Sequence, residues 1–329
     1  MQTKKLGSTD LELTPIGLGT WAIGGGGWPF GWGPQDDQES ITTIQRALDL
    51  GVNWIDTAPV YGLGHAEEVV GQAIKGRSAK PILATKCGLA WDKDGNVFGR
   101  LKRASVRAEV EASLRRLQIE AIDLYQIHWP DPKNDIEEAW GALAELVEEG
   151  KIRYAAVCNF SVKQLERIAA IHLVASVQPP YSMLERNVEN NLLDYCSAKN
   201  IGVIPYSPLQ KGILTDKFTR EWVEALPEAD HRRTVDSRFR EPELSSNLAF
   251  VDALRSLAEE HGKSVAQLAI AWVLRRPEVT AAIVGARRQV QIEQTIGAGD
   301  WKLPRETISA IDALLEKRHK LMHNQNDRD

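Results

Sequence analysis

The sequence predicts a closed (β/α)8 barrel, and three observations predict it. Short, almost wholly apolar strands alternate with amphipathic helices along the chain, the pattern of a parallel sheet covered on both faces. Eight such pairs follow an N-terminal hairpin, the number that closes a barrel. No composition shift or linker divides the 329 residues. One domain over 1–329 is therefore expected, with the hairpin capping the barrel bottom and a polar C-terminal tail at about 318–329.

Residues 3–14 alternate around Gly7-Ser8-Thr9-Asp10 and read as the hairpin. A buried strand over 15–20 runs into a glycine-rich loop, 24–33, and a helix over 37–50 is closed by Gly51. The strand 52–56 and helix 65–75 come next, then strand 81–86 and helix 105–117, strand 122–128 and helix 136–149. Strand 153–158 precedes a helix over 161–170 capped by Ser161. Strand 175–178, helix 188–199 and strand 202–206 lead to a long excursion, 207–246. Helices 247–261 and 264–275, strand 280–284, helix 288–297 and a last amphipathic helix over about 305–317 complete the chain.

Composition narrows the function classes. The formal net charge is -5, with lysine and arginine spread rather than blocked. That leaves no basic footprint for nucleic acid or an anionic membrane. The longest apolar run, 268–274, is seven residues, far short of the roughly 20 that a spanning helix needs. No apolar stretch follows Lys4 and Lys5, so no signal peptide is expected. Cys87, Cys158 and Cys196 are too widely spaced for a disulfide framework or a metal motif, which points to a reducing cytoplasm and no metal. Nothing indicates an oligomer. Of ten tryptophans, Trp21, Trp28, Trp32, Trp91 and Trp129 fall in or beside Gly- and Pro-rich loops, where function explains them better than packing does.

Gly17-Leu18-Gly19-Thr20-Trp21-Ala22 fits a dinucleotide-binding pattern, but that motif must open a helix. Ile23 and then four glycines follow, which cannot propagate one. A Rossmann domain is rejected. In a barrel the chemistry sits at the C-terminal strand ends, and those ends carry Asp56, Lys86, His128, Asn159 and Gln178, with Tyr61 just beyond Asp56. Singly, each has a bland alternative: a turn cap, a rim ion pair or a satisfied core histidine. Jointly, burial of so many ionisable groups in one small pocket is costly unless they act together. Asp56 and Lys86 can neutralise each other, and the ammonium is expected to shift the Tyr61 phenol downward. His128 can hydrogen-bond a substrate oxygen. This chemistry suits proton delivery to a carbonyl oxygen as hydride arrives at carbon.

The set Asp56-Thr57-Ala58-x-x-Tyr61-Gly62, Lys86 and His128 resembles the Asp-Tyr-Lys-His tetrad of the aldo-keto reductases. Flanking matches run in order from Gly17-Leu18-Gly19-Thr20-Trp21 through Asp123-Leu124-Tyr125-Gln126-Ile127-His128 and Asn159-Phe160-Ser161 to Gln178-Pro179-Pro180-Tyr181-Ser182. They end with Tyr206-Ser207-Pro208-Leu209 and Gly285-Ala286-Arg287-x-x-x-Gln291. The resemblance implies NADPH-dependent reduction of small-molecule aldehydes and ketones, with Tyr61 as general acid, Lys86 and Asp56 its partners and His128 the orienting donor. It implies that Asn159 and Gln178 bind the carboxamide of NADP(H) and that Tyr206 stacks on the nicotinamide. Ser207, Leu209 and Gly212 would form the pyrophosphate loop, with Lys211 or Lys217 nearby. Gly285, Arg287, Gln291 and Gln294 would lie at the adenosine end. Thr20, Trp21, Asp56 and Cys158 are assigned to cofactor binding as well, Cys158 standing where many members carry serine. Gln294 and Thr295 stand where many carry Glu and Asn.

Trp21, Trp91 and Trp129 are the expected substrate lining, and Arg232, Arg233 and Arg238 either clasp the cofactor or form a solvated turn. Two other activities compete. A Schiff-base aldolase would use Lys86 as a free amine. A regulatory subunit would bind NADP(H) without turnover, as the potassium-channel β subunits of this fold do with Asn in place of His128.

Overall fold

The computed structural model describes residues 1–228 and 230–326. Eight parallel strands form the expected sheet: β1 (Ile16–Gly19), β2 (Trp54–Asp56), β3 (Ile82–Cys87), β4 (Ile122–Ile127), β5 (Ile152–Cys158), β6 (Ser176–Gln178), β7 (Gly202–Val203) and β8 (Ala282–Gly285). The ladder runs β7-β6-β5-β4-β3-β2-β1-β8. Backbone bonds from Thr280 N to Val203 O (2.8 Å) and from Ile283 N to Pro205 O (2.9 Å) join its two ends. The barrel is closed.

Helices follow the strands in turn: Asp37–Asp49, His65–Ile74, Arg103–Leu117, Ile136–Glu148, Val162–Ala169 and Leu192–Ala198. After β7 come Glu243–Glu259 and Val265–Leu274, and after β8 Gln289–Thr295. Alternate strand residues point outward to this helical ring, as with Ile55 and Leu83 against Val69, Val70 and Ile44. The intervening residues point inward and form layers. The lower layer is apolar: Trp54, Ala84, Leu124, Ala156, Ile204 and Ile283. Leu6, Leu11 and Leu13 of the hairpin Lys4–Lys5/Glu12–Leu13 pack onto it and plug the barrel bottom. Two residues further along the same strands stand Asp56, Lys86, Gln126 and Cys158, all buried. A period of two thus places one ionisable layer on top of one apolar layer.

Three stretches depart from the sequence reading. The 87–104 loop contains an antiparallel hairpin, Leu89–Trp91 with Val97–Gly99, turned by Asp92, whose Oδ1 accepts from Asp94 N and Asn96 N at 2.9 Å each. The 207–246 excursion contains two short helices, Arg220–Glu224 and His231–Thr234, and the helix after it begins at Glu243. The last helix, Arg305–Asn326, runs through most of the expected polar tail, because polar residues do not by themselves end a helix. Arg318 Nε, bonded to Asn247 Oδ1 at 2.7 Å, ties it to the helix Glu243–Glu259. Residues 327–329 lie outside the described residues.

Gly17 shows how tight the interior is. A Cβ at this position would stand inside the Trp54 indole, whose Nε1 is already fixed on Thr14 O at 3.0 Å. Gly17→Ala should destabilise the fold by about 2 kcal/mol or more through overpacking. Urea denaturation of the variant measures it, and an unchanged midpoint refutes this account of the packing.

Candidate active site

Asp56 ends β2, and the chain then turns through Thr57 to Gly62. Gly62 adopts φ 65°, and a Cβ at Gly24 or Gly62 would meet main-chain atoms of the other segment. Only glycine permits that approach, and it seats Tyr61 over the barrel mouth. Lys86, on β3, is wholly buried. Its Nζ donates to Asp56 Oδ2 at 2.7 Å, Thr57 O at 2.8 Å and Tyr61 Oη at 3.1 Å. An ammonium has three protons, and all three are engaged. The aldolase reading asks for a free amine, which this arrangement does not offer.

The electrostatics follow from burial. Burial disfavours the charged form of Lys86, but Asp56 and then Tyr61 outweigh it and hold the ammonium above its ordinary pKa. For Tyr61, burial raises the phenol more than Lys86 lowers it, and Asp56 raises it further. The expected net downward shift is thus corrected. The ammonium stabilises the phenolate, yet the phenol stays protonated at neutral pH. Because Lys86 donates to Tyr61 Oη, the phenol's own proton points elsewhere and is available to a substrate.

His128 packs edge-on against Tyr61, ring centroids 5.8 Å apart at 76°. Burial, then the charge of Lys86, pushes its pKa well below the usual value. Its imidazole is neutral at neutral pH. The His128 carbonyl accepts from Asn159 Nδ2 at 3.0 Å, and Tyr206 Oη donates to Asn159 Oδ1 at 2.9 Å. Asn159 has φ 63°, and Asn159 N bonds Gln178 O at 3.1 Å, so the two residues are main-chain neighbours just past the end of β5 and at the end of β6. Thr20 Oγ1 reaches Asp56 O at 3.1 Å. Cys158 is buried in the same layer.

The loop after β7 is backbone-strained: Ser207, Gln210 and Lys211 all have positive φ, and Gly212 follows at φ 102°. Non-glycine residues in that region are costly and gather at ligand-binding loops. Leu209 is half-buried, Lys211 Nζ pairs with Asp236 at 2.8 Å, and Lys217 stands exposed. At the far end Gln291 Oε1 accepts from Arg287 N (2.7 Å) and Arg288 N (3.1 Å). Arg287 donates to Gln35 Oε1 at 2.6 Å, Trp32 O at 3.3 Å and Pro34 O. Burial, then Arg232 and Arg288, lower its pKa. Gly285 and Gln294 are exposed there.

Of the expected substrate lining, Trp21 is at the site, 5.1 Å from the Tyr61 ring. Trp91 is half-buried on its hairpin, and Trp129 is 44% exposed. Trp28, 6.1 Å from Tyr61, and Phe30, 5.8 Å from Trp28, complete an aromatic wall that the sequence reading did not assign. Arg232 lies over Trp32 (4.9 Å) and Trp222 (5.2 Å), joining the excursion to the glycine-rich loop. Gln126 was also unassigned. Its position two residues before His128 on one strand face was the available signal. Among the described residues no cluster suited to a metal ion occurs, and no helix is long and apolar enough to cross a membrane.

A closed (β/α)8 barrel with a buried Asp-Lys-Tyr group at its C-terminal mouth defines an oxidoreductase scaffold. The aldo/keto reductase family model matches residues 15–316. The chain is 42% identical over 319 residues to aldo-keto reductase YhdN of Bacillus subtilis, covering 96% of this chain and 94% of that one. It is 34% identical to an NADH-specific methylglyoxal reductase of Escherichia coli, covering 95% and 100%. Among solved structures, glycerol dehydrogenase AKR11B4 from Gluconobacter oxydans superposes with a TM-score of 0.88 at 41% identity, covering 96% of each chain. AKR11C1 from Bacillus halodurans gives 0.80 at 25%, covering 95% and 96%. The chain belongs to the aldo/keto reductase family. It is an oxidoreductase that reduces carbonyl groups with a nicotinamide cofactor.

Lys86→Met leaves Asp56 buried without its cation and should cost about 3–5 kcal/mol. The double variant Asp56→Asn/Lys86→Met should recover most of that loss. Thermal unfolding of wild type, Lys86→Met, Asp56→Asn and the double variant checks it, and additive losses refute the pairing.

Proposed function

We propose that this chain reduces small aldehydes and ketones with NADPH, using Tyr61 as the proton donor. The observation that carries the reading is the Lys86 Nζ–Tyr61 Oη hydrogen bond of 3.1 Å, which points the ammonium at the phenol oxygen and leaves the phenol proton for the substrate. When bound, the cofactor supplies a hydride to the carbonyl carbon. The residues present fit it: two neighbouring side-chain amides for a carboxamide, a tyrosine face for a planar ring, and a strained loop for a pyrophosphate.

In this reading neutral His128 donates to the substrate carbonyl oxygen and aligns it with Tyr61. Tyr61 gives its proton to that oxygen as the carbonyl bond is reduced, and the phenolate left behind is stabilised by Lys86. Asp56 acts through Lys86. Trp21, Trp28 and Phe30 wall off water, with Trp91 and Trp129 further out. Asn159, Gln178 and Cys158 hold the carboxamide beside Thr20 and Tyr206. Ser207, Leu209, Lys211 and Gly212 carry the pyrophosphate, with exposed Lys217 outside it. Gly285, Arg287, Gln291 and Gln294 receive the adenosine.

The preference for NADPH rests on Arg287. Its partners are neutral oxygens, and Arg232 and Arg288 lie near enough to disfavour its charge. Arg232 and Arg288 are themselves paired with Asp230 and Glu39, so Arg287, bonded to neutral oxygens, is the guanidinium placed to take a 2′-phosphate. The chain works as one unit over 1–329. Its three free, buried cysteines suit the cytoplasm.

Three measurements test this. Tyr61→Phe should lower kcat for aldehyde reduction about 100-fold or more while NADPH still quenches tryptophan fluorescence; near-normal turnover sinks the mechanism. With His128 neutral, wild-type turnover should show no acid limb near pH 6.5. Arg287→Ala should weaken NADPH binding about tenfold and leave NADH binding almost unchanged. Equal losses would take Arg287 off the 2′-phosphate, and tighter wild-type binding of NADH would assign this chain the preference named for the Escherichia coli relative.

A further inference from the structure

Gln126 is an unusual residue for the inside of a barrel. It sits on β4 in register with Lys86 on β3 and Ala156 on β5, and it is wholly buried. Leucine precedes it on the same face, at Leu124. A buried primary amide is costly unless it is hydrogen-bonded, and here both its nitrogen and its oxygen have partners. Gln126 Nε2 donates to Asp56 Oδ1 at 3.2 Å. Gln126 Oε1 accepts from Gln178 Nε2 at 3.1 Å and from Cys158 Sγ at 3.5 Å. Gln178 Nε2 also reaches Asp56 Oδ1, at 2.8 Å.

The two oxygens of Asp56 are therefore divided. Oδ2 belongs to Lys86, and Oδ1 belongs to two amides. The amide orientation follows from its neighbours. A carboxylate only accepts, so Gln126 must turn its NH2 to Asp56 and its oxygen to Gln178 and Cys158. The carboxylate cannot rotate toward Lys86 or away from it without breaking bonds to both amides.

The geometry points to Gln126 as a positioning residue for carbonyl reduction: it fixes the Asp56 carboxylate against Lys86 and holds Gln178 and Cys158 to the same group. It touches no reacting atom and acts through Asp56. The inference rests on the reading that Lys86 and Tyr61 deliver the proton. The ionisable groups around it are Asp56 on β2, Tyr61 beyond it, Lys86 on β3, His128 on its own strand and Cys158 on β5.

Two variants test it. Gln126→Met keeps the volume and removes the amide. It should lower kcat about tenfold, and it should cost kcat nothing further in an Asp56→Asn background. Losses that multiply in the double variant overturn the positioning role. Gln126→Glu places a second carboxyl against Asp56. Without cofactor, its unfolding temperature should fall relative to wild type between about pH 5 and about pH 8 as the pair loses its shared proton. Asp56→Asn/Gln126→Glu, holding one carboxyl again, should lose that fall. A Gln126→Glu protein that tracks wild type across the range overturns the contact itself. The unfolding readout needs no turnover. If it behaves as stated while wild type oxidises no NADPH with any aldehyde, the proposed function fails and the contact stands.

Discussion

The buried Asp56–Lys86 pair is the constraint on which the rest depends. Removing two charges from water costs several kcal/mol each, and a bare ion pair rarely repays it. Here repayment comes from completeness. Lys86 spends its three protons on Asp56, Thr57 O and Tyr61, while Asp56 takes two amides on its other oxygen. Strands β2, β3, β4 and β6 and the turn after β2 supply these contacts at a single level of the barrel.

The barrel makes this possible by layering. An apolar stratum of Trp54, Ala84, Leu124 and Ala156, sealed below by the hairpin leucines, gives the polar stratum a dry floor. A low-dielectric floor strengthens each electrostatic interaction above it. It also explains why Tyr61 remains a protonated phenol despite an ammonium beside it: desolvation outweighs the attraction. A protonated donor with a stabilised conjugate base is what proton delivery to a carbonyl oxygen requires.

Above the polar stratum lies a wall of loops rather than strands. Trp21, Trp28 and Phe30 lean together over Tyr61. Arg232 and Arg287 each tie the glycine-rich loop to a distant segment, one through Trp32 and the other through Gln35 and two carbonyls. The long axis of the expected cofactor path is thus bordered by contacts between segments some 200 residues apart or more, consistent with loops that carry function on a rigid scaffold.

Much was legible in the chain itself. Strand alternation, the eight β/α pairs and the ionisable residues at strand ends all follow from local pattern, because periods of 2 and 3.6 are local properties. Asp56, Tyr61, Lys86 and His128 could be named for that reason. Where local pattern is silent, the reading stopped short. The Leu89–Trp91 hairpin hides in a polar loop, and the last helix runs on through residues whose polarity looked like a tail. The net direction of the Tyr61 shift needed the depth of burial, and the roles of Gln126 and Trp28 needed their partners. Residues fix their own strand and face by sequence. Which proton points where, which charge outweighs desolvation, and which amide answers which carboxylate were decided only when closure of the barrel brought β2 to β6 around one point.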